Sequence, residues 1–185
     1  SSIEEIIITG WLNSIGEFAF QDCTALKSVS IYSNVSVIPE QAFGNCISLE
    51  KINIPSTVKS IGSYAFYNCS ALTELTLSKN ITDIANGAFY NCPNLTLYGY
   101  YDTVAESYAE QNNIPFVHLD KKVISGDVNL DGKIDINDVT LLQRYIAGES
   151  VLTDDAVKAA DFNKDRIIDI IDATAIQTFI AHGQN

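Results

Sequence analysis

The sequence has few basic residues, few histidines and no long apolar run, and each shortage excludes a class of function. It has 11 Lys and Arg against 23 Asp and Glu, a net charge of −12, which argues against nucleic-acid binding because phosphates require clustered cations. No apolar run approaches the ~20 residues that span a membrane. The sequence also lacks a glycine-rich phosphate loop and a Gly-x-Ser-x-Gly elbow, so catalysis is not expected. It begins without methionine or a signal peptide, and we expect a mature or trimmed form.

Cysteine is also scarce, but its four copies are evenly spaced. They lie 23 residues apart, at Cys23, Cys46, Cys69 and Cys92. An even number of cysteines is compatible with disulfides. The alternative is a ladder of buried thiols, one in each repeat, since free cysteine is a small and frequently buried apolar residue. The regular spacing favours the ladder.

Several other residues recur with the same period. These are Ala19-Phe20, Ala42-Phe43, Ala65-Phe66 and Ala88-Phe89, with Ile15, Ile38, Ile61 and Ile84 before them and Leu26, Leu49, Leu72 and Leu95 after them. A fixed period of ~20–50 residues is the signature of a solenoid. Alternating apolar pairs predict a short strand in each repeat whose apolar side chains face inward: Val29/Ile31, Ile52/Ile54, Leu75/Leu77 and Tyr98/Tyr100. The segment 61–69 predicts a short helix or 3₁₀ turn.

The repeat motif reads Ile-Gly-x-x-Ala-Phe-x-x-Cys-x-x-Leu from Ile61 to Leu72. It resembles the 23-residue leucine-rich repeats of bacterial cell-surface proteins, and the resemblance covers about residues 3–119. It implies an α+β solenoid in which short strands alternate with short helices or 3₁₀ turns, each repeat burying its apolar residues against the next.

An atypical terminal unit is needed to cover the last open face of a solenoid. Thr103 and Glu106 predict a capping box for a helix that runs through Gln111, followed by a strand over 114–119. We therefore divide the chain into a solenoid over 1–119 with its cap at 99–119, a short charged linker over 120–123, and a second, small all-α domain over 124–185.

Two acidic segments 34 residues apart predict calcium-binding loops. Each offers side-chain oxygens at positions 1, 3, 5, 9 and 12 and a backbone carbonyl at position 7. The residues are Asp127, Asn129, Asp131, Lys133, Asp135 and Asp138 in loop one, and Asp161, Asn163, Asp165, Ile167, Asp169 and Asp172 in loop two. Calcium takes ~6–8 oxygen ligands at flexible geometry, so we expect two calcium ions.

Each loop leads into a predicted amphipathic helix. The apolar residues are Val139, Leu142, Tyr145 and Ile146 in the first helix, and Ala173, Ile176, Phe179 and Ile180 in the second. These stripes predict that the two helices pack against each other. A third, short helix is expected over 153–160 with Thr153 as its N-cap. At position 8, Ile134 and Ile168 are expected to pair the loops through a short strand contact.

A pair of EF-hands is the main structural alternative, and three features disfavour it. No helix fits between Pro115 and Asp127 to enter the first loop, position 12 is Asp rather than Glu, and the chain has no methionine for a calcium-exposed groove. A duplicated loop with only an exiting helix resembles a dockerin, over about residues 124–182. The resemblance implies binding to a cohesin domain of a scaffoldin, in a cellulosome-type complex on or outside an anaerobic bacterium.

The resemblance also assigns partner-reading residues at positions 10, 11, 17 and 18 of each copy. They are Ile136, Asn137, Gln143 and Arg144 in copy one, and Ile170, Ile171, Gln177 and Thr178 in copy two. The copies agree at positions 10 and 17 and differ at 11 and 18, so docking in two orientations is allowed but not required. The isoleucines predict a fairly hydrophobic interface, and local packing between the loops is their alternative role.

Position 6 distinguishes the two loops. It is Gly132 in loop one and Arg166 in loop two. A left-handed backbone costs a residue other than glycine ~1–2 kcal/mol. The sequence therefore predicts weaker calcium binding at loop two.

The leading functional hypothesis is a secreted or cell-surface, non-catalytic cellulosomal component whose repeat is a protein-interaction or adhesion surface. The alternatives are a carbohydrate- or substrate-targeting module and an enzyme-inhibitor accessory, each attached through the same dockerin. Sugar binding favours a row of exposed aromatics, and only Tyr32 is expected among the exposed strand positions.

Overall fold

The computed structural model describes residues 2–183. The chain divides between Asp120 and Lys121 into two compact units, and each is described by itself.

Within residues 2–120, the N-terminal unit is built from nine short parallel strands and one helix. The strands are β1 (Glu5–Ile8), β2 (Ser28–Ile31), β3 (Val37–Ile38), β4 (Lys51–Asn53), β5 (Ser60–Ile61), β6 (Glu74–Thr76), β7 (Asp83–Ile84), β8 (Thr96–Gly99) and β9 (Phe116–His118). They form three sheets, in the orders β1-β2-β4, β3-β5-β7 and β6-β8-β9. Ser28 pairs with Lys51 and Ser60 with Asp83, so the 23-residue period of the sequence is the step between neighbouring repeats. The predicted leucine-rich-repeat solenoid is confirmed.

A stack of phenylalanine rings runs through the core of the solenoid. Phe20, Phe43, Phe66 and Phe89 stack in order, with ring centroids 5.2, 5.4 and 5.4 Å apart. Phe43 and Phe66 are fully buried, as are Leu26, Leu49, Leu72, Ile38 and Ile61 of the periodic set. Each ring therefore has its packing partner in the neighbouring repeat, which explains why the period is so strict.

The segments predicted as short helices or 3₁₀ turns are instead runs of overlapping turns. In 61–69, the N–H of Ala65 donates three residues back within the repeat at 3.2 Å, but the N–H of Phe66 donates to Ala88 of the next repeat at 2.8 Å. Tyr64 has a left-handed backbone, with φ of 54°. A helix cannot send alternate N–H groups to a neighbour, so this part of the expectation is wrong.

The cysteines form the predicted ladder of thiols. All four are free. The thiols of Cys46, Cys69 and Cys92 donate to the carbonyls of the phenylalanines 26 residues earlier, at 3.2, 3.2 and 3.0 Å. Each thiol thus joins two repeats without a covalent bond.

A second ladder, of side-chain amides, lies on the turns. Asn45 Nδ2 donates to Asp22 Oδ1 at 2.8 Å, Asn68 Nδ2 to Asn45 Oδ1 at 3.1 Å, and Asn91 Nδ2 to Asn68 Oδ1 at 2.6 Å. The donor is always one repeat later than the acceptor.

The last repeat breaks the period, which corrects the expected inward orientation of Tyr98 and Tyr100. Leu75 pairs with Leu97, a step of 22 residues, and Leu97 is fully buried. The next inward position is Gly99, where a Cβ would lie 2.7 Å from Cζ of Phe116. Strand β9 therefore fills the core at this point, and Tyr98 lies on the other face of β8, because side chains alternate along a strand.

The cap is formed by β9 and helix α1 (Val104–Gln111). Thr103 is the N-cap and accepts from the N–H of Glu106 at 3.3 Å, while Glu106 Oε2 accepts from the N–H of Asp102 at 2.7 Å. Tyr108 of α1 packs edge-on against Phe89, with centroids 5.8 Å apart. The helix thus covers the end of the aromatic stack.

The C-terminal unit contains helices α2 (Ile136–Ile146), α3 (Asp154–Ala160) and α4 (Ile170–His182). Helices α2 and α4 pack against each other around a core of Val128, Val139, Leu142, Ala160, Ala173 and Ile176. The predicted third helix is confirmed, with Thr153 as its N-cap. The expected strand contact between the loops is wrong: Ile134 and Ile168 belong to no strand and pack against this core instead.

Candidate metal centres and docking face

The carboxylates of loop one point into the loop and bind its backbone. Asp127 is buried, and its Oδ1 and Oδ2 accept from the N–H groups of Asp131 and Gly132 at 3.0 and 2.8 Å. Asp138 is also buried, and its Oδ1 accepts from the N–H of Asn129 at 3.0 Å. Both carboxylates are thus held inside the loop by its own backbone N–H groups.

Positions 9 and 12 have a second role, which the sequence analysis missed. Asp135 is the N-cap of α2, and its N–H donates to Asp138 Oδ2 at 2.8 Å. In loop two, the N–H of Asp169 donates to Asp172 Oδ2 at 3.1 Å. Each pair is a capping box, and the Asp-x-x-Asp spacing just before the apolar stripe was the signal for it.

Loop two has the same framework with one unsatisfied atom. Asp161 Oδ2 accepts from the N–H of Arg166 at 3.1 Å. Asp161 Oδ1 is buried and has no hydrogen-bond partner, whereas the Oδ1 of Asp127 in loop one accepts from Asp131. A buried carboxylate oxygen without a partner is costly. A bound cation would satisfy it, so the residues of this loop fit a metal.

The donor set of each loop is mixed rather than purely acidic. Within residues 2–183, no group of three or more His, Cys, Asp or Glu side chains could hold a metal by itself. Loop one combines carboxylates with the amide of Asn129, whose Nδ2 donates to Asp131 Oδ2 at 3.2 Å and whose Oδ1 accepts from the N–H of Asp131 at 2.9 Å. Carboxylate, amide and carbonyl oxygens are hard ligands, which suit calcium better than they suit softer metals.

The predicted left-handed backbone at position 6 is present in both loops. Gly132 has φ of 89° and Arg166 has φ of 70°. Position 4 is also left-handed, at Leu130 and Lys164, with φ of 61° and 63°. The second loop therefore keeps the backbone path of the first despite the arginine.

All eight partner-reading residues predicted from the sequence are exposed. Ile136, Ile170 and Ile171 lie at the first turns of α2 and α4 and are 56, 56 and 57% exposed. Local packing between the loops, the alternative role for these isoleucines, is therefore not what they do. Ile167 at position 7 of loop two is 60% exposed as well, and the sequence analysis had assigned only its carbonyl.

The fold and these loops define a class of protein: a leucine-rich-repeat solenoid joined to a duplicated module of acidic loops and helices. Residues 1–112 match the BspA type leucine-rich repeat region in six copies, and residues 125–181 match the Dockerin type I domain. The chain belongs to the BspA-type leucine-rich repeat family and carries a type I dockerin. Dockerins of this type bind calcium and bind cohesins, and both modules are non-catalytic types found in secreted or cell-surface proteins.

Solved structures of leucine-rich repeat proteins resemble the chain at low identity. The leucine-rich repeat protein of T. pallidum is 20% identical with a TM-score of 0.44, and the match covers 53% of this chain and 59% of that protein. The leucine-rich repeat protein of Bacteroides ovatus is 24% identical with a TM-score of 0.45, and the match covers 64% of this chain and 37% of that protein. A leucine-rich cell surface protein of Faecalibacterium prausnitzii is 24% identical with a TM-score of 0.46, and the match covers 65% of this chain and 36% of that protein. The chain thus spans less than two thirds of each. No curated protein matches the chain, and no helix within residues 2–183 has the length and apolarity needed to cross a membrane.

Proposed function

We propose that the chain is a non-catalytic component of a cellulosome-type complex of an anaerobic bacterium. Its dockerin binds a cohesin of a scaffoldin in the presence of calcium, and the repeat presents a surface for protein interaction or adhesion. The proposal treats residues 1–119 as the solenoid with its cap, 120–123 as the linker and 124–185 as the docking domain.

The observation that carries the proposal is the exposure of one apolar set at equivalent places in both copies. Ile136 and Ile170 begin helices 34 residues apart and are equally exposed. Apolar anchors at the centre of an interface contribute most of its binding energy, and Ile136, Ile170 and Ile171 are exposed where such anchors would lie. The type I dockerin match supports a cohesin as the partner.

Two calcium ions are proposed, one for each loop, held by the twelve residues predicted from the sequence. The orphaned Oδ1 of Asp161 supports the second ion. Calcium would supply positive charge among carboxylates that otherwise repel one another. The chain's own contribution is the backbone path that directs Asp127 and Asp138 inward and starts α2 at Asp135.

The two copies are proposed to be partly interchangeable. They share Ile at position 10 and Gln at position 17, and both members of each pair are exposed. A cohesin that contacts only these positions would accept either copy. One that contacts position 11 or 18 would distinguish Asn137 from Ile171, or Arg144 from Thr178.

A cohesin panel tests the proposal. Binding of the full chain to immobilised cohesins is measured with calcium and with EDTA, for the natural sequence, Ile136→Asp, Ile170→Asp and the double variant. We expect calcium-dependent binding that the double variant loses. Val151→Asp is the matched control, because Val151 is 91% exposed in the same unit but outside the recognition sets. Equal binding by the double variant and the control, or binding that survives EDTA, would contradict the proposal.

A further inference from the structure

The outer strand face of the solenoid has a seam. Strands β4 and β6 belong to neighbouring repeats, yet they lie in different sheets, whereas β2 pairs with β4 and β6 with β8. A groove of about 390 Å³ lies along this seam, lined by Lys51, Asn53, Glu74, Thr76, Tyr98 and Tyr100 among others. This volume falls within the ~300–1,000 Å³ of small-ligand sites.

Opposite charges face the groove without pairing. Lys51 and Glu74 are 23 residues apart, at equivalent positions of neighbouring repeats, and Glu4 and Lys27 have the same spacing two repeats earlier. Lys27 Nζ lies 2.9 Å from Glu4 Oε2, but within residues 2–183 no ion pair joins Lys51 to Glu74. The ammonium and the carboxylate in the groove therefore keep their hydrogen-bonding capacity for a ligand.

The 22-residue step of the last repeat brings two tyrosines to this groove. Tyr98 and Tyr100 both line it. Lys79 lies over the ring of Tyr100, with Nζ 4.7 Å from the centroid, and its ammonium is 3.0 Å from Asp120 Oδ2. One ring face of Tyr100 is thus covered by a cation that also pairs with Asp120, which restrains the tyrosine ring in the groove lining.

From this composition we infer that the groove binds a neutral glycan. A sugar ring presents an apolar C–H face, which buries well against an aromatic ring, and hydroxyls that both donate and accept. Thr76 also does both, Asn53 keeps its Oδ1 as an acceptor while its Nδ2 donates to the carbonyl of Ile31 at 3.4 Å, Lys51 donates and Glu74 accepts. The two charges cancel, so the groove does not select an anion or a cation. The inference rests on the proposed function in one respect: it names a ligand for the strand face that the repeat is proposed to present.

The test uses the full chain with calcium and three soluble probes: cellohexaose, xylohexaose and mannohexaose. Calorimetry is done on the natural sequence, Tyr98→Ala, Tyr98→Phe and Asn53→Ala. Tyr32→Ala is the matched control, since Tyr32 is an exposed tyrosine outside the groove lining. We expect one probe to bind the natural protein. Its affinity should fall about tenfold or more in Tyr98→Ala and Asn53→Ala, and should be unchanged in Tyr98→Phe and Tyr32→Ala.

Cohesin binding is measured on the same samples to separate this inference from the proposed function. Tyr98→Ala should bind cohesin normally, and EDTA should abolish cohesin binding but not probe binding. No binding of any probe at about 1 mM, equal loss in Tyr32→Ala, or occupation of the groove by a protein that no sugar displaces would overturn the inference. None of these results would affect the cohesin proposal.

Discussion

Gly132 and Arg166 occupy the same position of two equivalent loops and share a left-handed backbone, with φ of 89° and 70°. The N–H of each donates to the Oδ2 of the first aspartate of its loop, at 2.8 and 3.1 Å. Glycine adopts this conformation without steric cost, and arginine does not. The two loops thus reach one geometry at different energies.

Replacing Arg166 with glycine should strengthen calcium binding at loop two. The change removes backbone strain of ~1–2 kcal/mol, together with a positive charge near the ion, so the affinity of that site should rise by about fivefold or more. Calorimetric titration of the chelated protein with calcium measures it. Gly132→Arg is the reciprocal control and should weaken loop one. Equal affinities at the two sites of the natural protein would count against this account.

Chelation of calcium should unfold the C-terminal unit and leave the solenoid folded. The loops bury Asp127, Asp138 and Asp172 and leave Asp161 Oδ1 without a partner, and metal-binding free energy is in part folding free energy. The far-UV circular dichroism of helices α2 and α4 should be lost with EDTA and restored by excess calcium. A spectrum that EDTA does not change would refute this.

Phe66→Ala should destabilise the solenoid by ~3–5 kcal/mol, the cost of emptying a buried aromatic site. Phe66 stacks on both Phe43 and Phe89, so two interfaces between repeats lose contact at once. Urea denaturation with calcium present measures the free energy of unfolding. Phe18→Ala is the control, because Phe18 is 45% exposed, and it should cost much less. Similar losses in both variants would show that the stack is not what holds the repeats together.

The stability of the solenoid should fall at high pH through its thiols. Burial raises the pKa of Cys46 to about 12 and of Cys92 to about 11, and raises the pKa of Cys69 further. In the unfolded chain these thiols ionise near pH ~8.5. Above that pH the unfolded state binds fewer protons than the folded one, so stability is fully present below ~8.5 and declines toward pH ~11–12.

Urea denaturation at several pH values measures this decline, and Cys69→Ala should reduce its slope. The thiols of Cys46, Cys69 and Cys92 should also react slowly with a disulfide reagent at about pH 8 in the folded protein, since the thiolate is the reactive form, and quickly once the chain is unfolded. Fast reaction of Cys69 in the folded protein would contradict the buried ladder.

The solenoid could be predicted because the same residue types, Ile, Ala-Phe, Cys and Leu, recur at fixed positions of its 23-residue period. The turns around Tyr64 could not, since aromatic and small residues at helical spacing also suit left-handed turns whose N–H groups bond the next repeat. The prediction that Tyr98 and Tyr100 face inward was wrong because it extended the 23-residue period beyond the last regular repeat. The apolar alternation of Leu95 and Leu97 in the sequence would have indicated the correct inward positions.

The acidic loops show a different limit. Their spacing predicted a ligand set, and in the structure Asp127 and Asp138 accept from backbone N–H groups inside loop one. The spacing did not show that Asp135 would be the N-cap of α2, because an aspartate can either cap a helix or bind a cation. The missing partner of Asp161 follows only from the folded loop.

The row of amides on the turns gives the solenoid an arrow. Asn91 donates to Asn68, Asn68 to Asn45, and Asn45 to Asp22, so the side-chain dipoles align and each polarises the next. A carboxylate accepts but cannot donate. An aspartate can therefore only end such a row, and only at its accepting end, which is where Asp22 stands. Lengthening the solenoid by duplication would have to add asparagine repeats on the C-terminal, donating side of Asp22, and an aspartate inside the row would interrupt it.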